Sequence, residues 1–448
     1  MNRKQIFFND VLPKVADILS VQTLPLNLEP LVIRDIHGRI RIALDMPRGS
    51  DNDEKITPLD KSLSALGVYS SGEGKNVVCR DDFFDPDSIF NSPEILQWVQ
   101  PNGDKTVRLL NRQVTGQDWD SHEEPHKITN PRLVFFGIKG GVGRSTALAI
   151  LAHKLANSGK KVLLIDLDLE SPGLSGMLLP QDRLADFGIV DWLIEDTLGQ
   201  GDYVLQRMIS VSPLSEYTQG EIRIAAAMGI DDTSFLDKLS RAYGDVAINS
   251  KVETFTQRIR RLVEKLEETE QPDVVLIDSR AGLHDLAAVS IMGLATTTFL
   301  FATDTEQSWQ GYRLLFLHWQ SFPEIARNVR ERLAIVQALF PEADQSKRAR
   351  QFLERSYQLF SETLYEEIPP SPADQQLDIL GVDEDVFNFD IEVENAPHYP
   401  LRINWNNRFQ EFDPKLLGQQ GLFSEAEIEA GFGNFLNKAI QLIEAGKS

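Results

Sequence analysis

The clearest chemical signal in the sequence is a glycine-rich segment that ends in two hydroxyl residues, Gly137-Ile-Lys-Gly-Gly-Val-Gly-Arg-Ser-Thr146. Its glycines allow successive backbone N–H groups to turn toward one anion, and a helix that begins there adds its positive N-terminal end. Phosphate is the anion that suits such a loop, with Ser145 placed to ligate Mg²⁺ and Thr146 to hydrogen-bond the α-phosphate. A lone glycine-rich turn could also serve only to connect a strand to a helix, so the later motifs decide.

Two acidic motifs follow apolar runs farther along the chain. Asp166 and Asp168 come after the first run, and Asp278 comes directly after the second, with Gly282 four positions beyond it. The carboxyl ends of buried strands are the edge where α/β sheets place their ligands. We expect Asp278 to hold Mg²⁺ through water and the Gly282 N–H to sense a γ-phosphate. The three motifs, in this order, predict a nucleotide site.

The glycine-rich segment departs in two positions from the general P-loop pattern G-x-x-x-x-G-K-[ST]. Ile138 stands where the first glycine falls, and Arg144 stands where the lysine falls. Lys139 directly precedes the glycine pair, and K-G-G-V-G-R-S resembles the deviant Walker A motif of the MinD, ParA and ArsA class of ATPases. The arginine makes it similar to the KGGVGR-motif variant subgroup. In the resembled class the early lysine reaches across a dimer to the partner's phosphates, so the resemblance implies an ATP-dependent homodimer.

The resemblance also implies roles for individual residues. Asp168 would orient or activate the attacking water, and Asp166 would shape the Mg²⁺ shell. Residues 303–311 resemble the corresponding loop of the class, and the chain has no N-K-x-D guanine signature, so ATP and Mg²⁺ are the expected cofactors. The complete expected site comprises catalytic Asp168, Lys139 and Arg144; nucleotide-binding Lys139, Gly140, Gly141, Val142, Gly143, Arg144, Ser145, Thr146 and Gly282; and metal-binding Ser145, Asp166 and Asp278.

Arg144, in place of the P-loop lysine, affects the rate of ATP hydrolysis that we expect. Arginine is longer than lysine, planar and bidentate, so the exchange is not conservative at a crowded phosphate site. We therefore expect ATP to bind and to be hydrolysed slowly. Arg280, two residues after Asp278, could supply a compensating charge or could make a structural salt bridge, and the sequence leaves both readings open.

The elements that must position these motifs alternate between strands and helices. Apolar runs without a polar face are typical of strands buried on both sides of a parallel sheet, and residues 252–268 carry a helical apolar stripe between two such runs. This pattern predicts an α/β fold over residues 129–345, a doubly wound, mainly parallel sheet of the P-loop NTPase kind. The runs are 133–136, 162–165, 222–226, 274–277, 298–301 and 333–336.

Two regions without a chemical motif flank this domain. Residues 1–128 predict a smaller α+β module with a hairpin over 31–44, followed by a polar linker. Residues 346–448 predict an extension packed on the ATPase core, with a strand-like stretch at 383–394 and a helix at 424–443. The glutamate-rich polar face of that helix favours core packing over membrane targeting.

Composition narrows the function classes. The 448 residues carry 45 Lys and Arg against 67 Asp and Glu, a formal net charge of −22. Such a chain repels phosphate backbones and anionic membranes, so neither nucleic acid nor membrane is expected as a partner. A single cysteine excludes a cysteine-ligated iron–sulfur cluster. No signal-peptide or membrane-spanning pattern is apparent, so we expect a cytoplasmic protein.

These features predict a slowly hydrolysing ATPase that acts as a nucleotide-dependent dimeric switch. ATP would close the dimer through Lys139, hydrolysis would reopen it, and the N-terminal module or a separate protein would read the change. The alternative is a nonhydrolysing nucleotide-binding scaffold. Asp168 favours the switch, whereas Arg144 favours the scaffold. The resemblance implies a place in multi-gene bacterial systems, such as defence or conflict modules, in which an ATPase regulates an effector.

Overall fold

The structure is a computed structural model that describes residues 5–22, 24, 28–101, 103–120, 130–231, 233–248, 251–367, 386–409 and 424–445. The chain divides into two compact units. The first comprises Met1–His122 with Leu317–Asn328, and the second comprises Glu123–Phe316 with Val329–Ser448. The predicted linker and the boundary at residue 128 lie outside the described residues. Nothing in the sequence indicated that the short segment after residue 316 belongs with the N-terminal unit.

The N-terminal unit contains a five-stranded sheet of order β3-β2-β1-β5-β4. The predicted hairpin is present, because β1 and β2 pair antiparallel on either side of Gly38, whose φ of 83° favours glycine. Strand β5 pairs parallel to β1, and Leu31, Ala43 and Leu110 are buried together. The strands are β1 Leu31–Arg34, β2 Ile40–Leu44, β3 Val77–Cys79, β4 Ile95–Val99 and β5 Thr106–Asn111, and the helices are α1 Phe8–Ser20, α2 Ser50–Leu63 and α3 Pro86–Phe90.

The second unit contains an eight-stranded sheet of order β15-β14-β13-β6-β12-β7-β9-β8. Every neighbouring pair is parallel except β8 with β9, and all six predicted runs form strands of this sheet. The doubly wound, mainly parallel fold is therefore confirmed. The strands are β6 Arg132–Gly137, β7 Lys161–Leu167, β8 Ile209–Val211, β9 Glu221–Ala225, β10 Val246–Ile248, β11 Lys251–Glu253, β12 Val274–Ser279, β13 Thr297–Ala302, β14 Leu333–Phe340 and β15 Leu401–Asn404, of which β10 and β11 form a separate hairpin.

Helices cover the sheet, which is why the middle residues of its central strands are apolar. All residues of β6 and β12 are buried. Helix α9 begins at a capping box in which the Thr254 hydroxyl accepts a hydrogen bond from the Gln257 N–H at 3.3 Å. The helices that follow the first three are α4 Arg144–Asn157, α5 Leu174–Leu178, α6 Ile189–Glu195, α7 Gly201–Leu205, α8 Phe235–Ala242, α9 Phe255–Glu270, α10 Asp285–Ala288, α11 Glu306–Gln320, α12 Pro323–Arg330, α13 Gln345–Thr363 and α14 Glu425–Ala445, of which the end of α11 and most of α12 belong to the first unit.

The C-terminal region contributes to the core of the second unit. Phe435 of α14 packs against the rings of Phe135, Phe299 and Phe301, with centroids 5.1 to 6.1 Å apart. The strand-like stretch expected at 383–394 is wrong for its described part, because residues 386–394 form irregular structure and turns. Phe387 and Phe389 alternate with polar residues as in a strand, but their rings pack against Tyr365 and against each other, and the strand of this region forms instead at β15.

Candidate functional site

The glycine-rich segment lies between a strand and a helix, as predicted. Strand β6 ends at Gly137 and α4 begins at Arg144, with the loop between them. Gly141 and Gly143 have φ values of 72° and 83°, which L side chains rarely adopt, so these two positions require glycine. A Cβ on Gly140 or Gly141 would meet no atom within 4 Å, which leaves the outer side of the loop open to a ligand.

Helix α11 lies against the same loop. A Cβ on Gly311 would lie 2.3 Å from Cγ2 of Ile138 and 3.2 Å from its Cβ. Only glycine therefore allows this approach of helix to loop. Gly311 was not among the predicted site residues, although it ends the loop whose sequence resembles that of the class.

The two predicted metal-binding aspartates lie side by side at the end of the sheet. Asp278 on β12 is in register with Asp166 on β7, and both carboxylates are buried. The Ser145 hydroxyl donates to Oδ2 of Asp278 at 2.6 Å, and Oδ1 of Asp166 accepts from the Asp168 N–H at 3.2 Å. The other two oxygens, Oδ2 of Asp166 and Oδ1 of Asp278, are buried and have no hydrogen-bond partner among the residues that the structure describes.

These orphaned oxygens fit a nucleotide-bound Mg²⁺. Burial raises the pKa of Asp166 well above its ordinary value, and the neighbouring Asp278 raises it further. Burial also raises the pKa of Asp278, against the opposing charge of Arg144. Mg²⁺ bound with phosphates takes only one or two protein carboxylates and keeps several waters. That set suffices, although the described residues contain no group of three His, Cys, Asp or Glu side chains suited to hold a metal alone.

Arg144 is directed toward the other two motifs. Its guanidinium is buried, with Nη1 donating to the carbonyl of Ser279 and Nη2 lying 3.7 Å from Oδ2 of Asp168. A single side chain of the glycine-rich loop thus connects the end of β12 with the segment after β7. Asp168 is half-buried; burial raises its pKa, whereas the positive charges of Arg144 and Arg280 lower it.

Arg280 makes an ion pair with Glu170, so the structure contains the second of its two predicted roles, the salt bridge. The same oxygen of Glu170, Oε1, accepts a hydrogen bond from the hydroxyl of Tyr243 and lies 3.7 Å from Nε2 of His284. Sequence reasoning missed Glu170 and Tyr243 as neighbours of the site. They are separated by 73 residues, and no local pattern reports such a contact.

The remaining predicted residues lie around this cluster. Lys139 is exposed on the loop, and its side chain makes no ion pair or hydrogen bond within the described part of the chain. The Gly282 N–H donates to the carbonyl of Gly137 at 3.0 Å, and its φ is 84°. Contact of this N–H with a phosphate would require that hydrogen bond to open. Thr146 lies in the first turn of α4 and is half-buried.

Comparison with known families now bears on this geometry. Residues 133–373, more than half of the chain, match the CbiA family, the CobQ/CobB/MinD/ParA nucleotide binding domain. The chain belongs to this family. The matched residues include the glycine-rich loop and both acidic motifs, so the site described above lies within a CobQ/CobB/MinD/ParA nucleotide binding domain. The finer assignment to the KGGVGR-motif subgroup stays a prediction.

Individual relatives are distant or short. Bovine cytosolic Fe-S cluster assembly factor NUBP2 is 41% identical over 73 residues, which is 16% of this chain and 27% of the bovine protein. The structure of pNOB8 ParA bound to nonspecific DNA is 15% identical and covers 70% of this chain and 99% of that one, with a TM-score of 0.41. Cobyrinic acid a,c-diamide synthase from Mycobacterium smegmatis, bound to an ATP analog and magnesium, is 17% identical over 54% and 87% of the two chains, with a TM-score of 0.35. At these TM-scores the likenesses add nothing to what the sheet order shows.

The predictions about partners and location stand apart from this match. The expectation against nucleic acid as a partner gains no support from the comparisons and stays a prediction. Among the described helices, none has the length and hydropathy needed to cross a bilayer. The cytoplasmic location stays a prediction.

Proposed function

We propose that this protein is an ATPase that binds ATP with Mg²⁺ and acts as a nucleotide-dependent dimeric switch. The observation that carries the proposal is the pair of buried aspartates, Asp166 and Asp278, whose two unpartnered oxygens adjoin the hydroxyl of Ser145 at the end of the glycine-rich loop. Burying unpartnered carboxylate oxygens is unfavourable, and a bound cation relieves the cost. The family match is to a nucleotide binding domain, which supports a nucleotide as the ligand that carries this cation.

Each motif has a distinct task in this proposal. The backbone of the glycine-rich loop holds the phosphates, and Ser145 with the two aspartates would hold Mg²⁺, which neutralises phosphate charge when bound. Asp168 orients the attacking water and accepts its proton as the new O–P bond forms and the bond from the γ-phosphorus to the β–γ bridging oxygen breaks, with ADP as the leaving group. Asp168 suits this task because it is half-buried and because its opposing arginines are within reach to steady its charge.

Dimerisation rests on Lys139. A lysine that is exposed, with no partner among the described residues, is available to a second subunit. The change between monomer and dimer would then be read by a separate protein, such as the effector of a bacterial defence or conflict module.

A nonhydrolysing scaffold is the second candidate, and the contacts of Arg144 favour it. Because its guanidinium bonds to the Ser279 carbonyl and faces Asp168, these two groups compete with a phosphate for the charge of Arg144, and Asp168 is paired with the guanidinium instead of being free to accept a proton. Nucleotide would bind in this case without being cleaved.

The test is the mass of the protein in solution with and without ATP and Mg²⁺, with phosphate release measured on the same samples. We expect wild type to dimerise with ATP and to release phosphate slowly, and Lys139→Ala to stay monomeric. Lys347→Ala, which removes an exposed lysine on α13, is the matched control and should behave as wild type. ATP binding without a change of mass or any phosphate release would favour the scaffold, and absence of ATP binding would overturn both candidates.

A further inference from the structure

Two arginines hold the segment that follows β7. Residues 168–171, named here the acidic segment, carry Asp168 and Glu170 two positions apart. Arg144 of the glycine-rich loop faces Asp168, and Arg280 of the segment after β12 pairs with Glu170. The motifs that surround the nucleotide site are thus joined by ion pairs that all converge on one short stretch of chain.

Glu170 is the centre of the second pair. Its Oε1 accepts from both Arg280 and the Tyr243 hydroxyl, whereas its Oε2 is buried and has no hydrogen-bond partner in the described part of the chain. A carboxylate with one crowded and one orphaned oxygen is incompletely satisfied, which lowers the net stability of the arrangement. An ion pair of this kind can be exchanged for a better partner of the guanidinium.

The phosphates of a nucleoside triphosphate are such a partner for the Arg280 guanidinium. The guanidinium of Arg280 binds phosphate oxygens in a bidentate manner at least as well as it binds a carboxylate. Arg280 directly follows Ser279, whose carbonyl accepts a hydrogen bond from Arg144 of the glycine-rich loop, so it lies beside that loop. Its positive charge also lowers the pKa of Asp168. An entering polyphosphate and Glu170 therefore compete for the same guanidinium.

We propose that Glu170 is a positioning residue that holds Arg280 away from the nucleotide until the triphosphate displaces it. This inference rests on the proposed nucleotide-binding function and adds to it a determinant of affinity within the chain. When Arg280 leaves, Glu170 is no longer held, and the acidic segment can move. Glu170 also bonds to Tyr243, which directly follows α8, so nucleotide binding is transmitted to both the acidic segment and the end of this helix.

The first experiment measures equilibrium binding of a fluorescent, nonhydrolysable ATP analogue with Mg²⁺ to Glu170→Gln. We expect about three- to tenfold tighter binding than wild type, because removing the competitor releases Arg280. Glu216→Gln is the matched control, since it removes the same charge from the exposed Arg183–Glu216 pair and should leave the affinity unchanged. Wild type without measurable binding would overturn the proposed function itself, whereas binding wild type with an unimproved Glu170→Gln would overturn only the role of Glu170.

The second experiment distinguishes competition from a general loss of negative charge. In an Arg280→Gln background the gain from Glu170→Gln should disappear, because there is no guanidinium left to release. Persistence of the gain in that background would overturn the proposal. Thermal unfolding verifies that each variant is folded, and Glu170→Asp, which keeps the charge but shortens the reach to Arg280, should give a smaller gain if Glu170→Gln does not fold.

Discussion

At the scale of single residues, Arg144 acts in the structure as a connector. Its side chain is buried and contacts the end of β12 and the acidic segment, instead of lying free in the loop for a phosphate. A lysine ammonium carries its charge at one point and could not serve both partners in this geometry. The arginine therefore holds the three motifs together before any nucleotide arrives.

Because Arg144 joins these motifs, its replacement should lower the free energy of unfolding. Arg144→Lys should lower the free energy of unfolding without nucleotide by about 1–3 kcal/mol, because the buried Ser279 carbonyl loses a charged donor. Denaturant unfolding measures the change, and Arg348→Lys, an exposed arginine on α13, provides the control. Equal stability of Arg144→Lys and wild type would show that the connection contributes nothing.

The sequence predicted which residues gather at this site better than it predicted their partners. Ser145, Asp166 and Asp278 meet as expected because each directly follows or lies in a motif tied to a strand end. The bonds of Arg144 to Ser279 and of Glu170 to Tyr243 join positions 135 and 73 residues apart. Such contacts depend on tertiary packing, which leaves no periodic trace in the sequence.

At the scale of elements, the contact of α11 with the glycine-rich loop positions the site. Gly311 allows the helix to approach Ile138 so closely that a methyl group does not fit, and the buried Tyr312 hydroxyl next to it donates to the Phe301 carbonyl at 2.8 Å. Helix and loop thus share a surface with little freedom to adjust.

We therefore expect Gly311→Ala to displace the loop. The added methyl overlaps Ile138, which should cost about 1–3 kcal/mol of stability and weaken ATP binding. The double variant Gly311→Ala with Ile138→Ala removes the overlapping methyl groups and should recover most of both losses. Gly176→Ala, at an exposed position where a Cβ meets no atom within 4 Å, is the control for adding a methyl group. Normal ATP affinity in Gly311→Ala would mean that the helix does not position the loop.

The strands were the most predictable elements, for a physical reason. A strand buried on both faces needs apolar residues at every position, so each central strand stands out as an uninterrupted run. The edge strands β8 and β15 are short and less apolar, and the sequence did not indicate them. The segment Leu317–Asn328 was also missed, because its assignment to the N-terminal unit depends on contacts between distant parts of the chain.

At the scale of the whole molecule, the nucleotide site lowers the stability of the ligand-free fold. Asp166 and Asp278 lie on adjacent central strands, buried and raised in pKa, in a chain that already carries a net charge of −22. Burying two adjacent carboxyl groups without a cation opposes folding, because each group must either keep its charge out of water or take up a proton, and a ligand that binds only the folded state restores the stability. In the proposed function, folding and Mg²⁺–ATP binding are linked through the same two side chains.

Asp278→Asn separates these effects. The amide keeps the shape and the bond to Ser145 while removing one of the two buried charges, so unfolding without ligand should require about 1–2 kcal/mol more free energy. The rise in melting temperature that Mg²⁺ and ATP give to wild type should be lost, because the amide is a poor Mg²⁺ ligand. Melting curves of both proteins, with and without Mg²⁺ and ATP, measure the two changes together. A variant that is less stable than wild type without ligand, or equally stabilised by Mg²⁺ and ATP, would contradict a cation site between these strands.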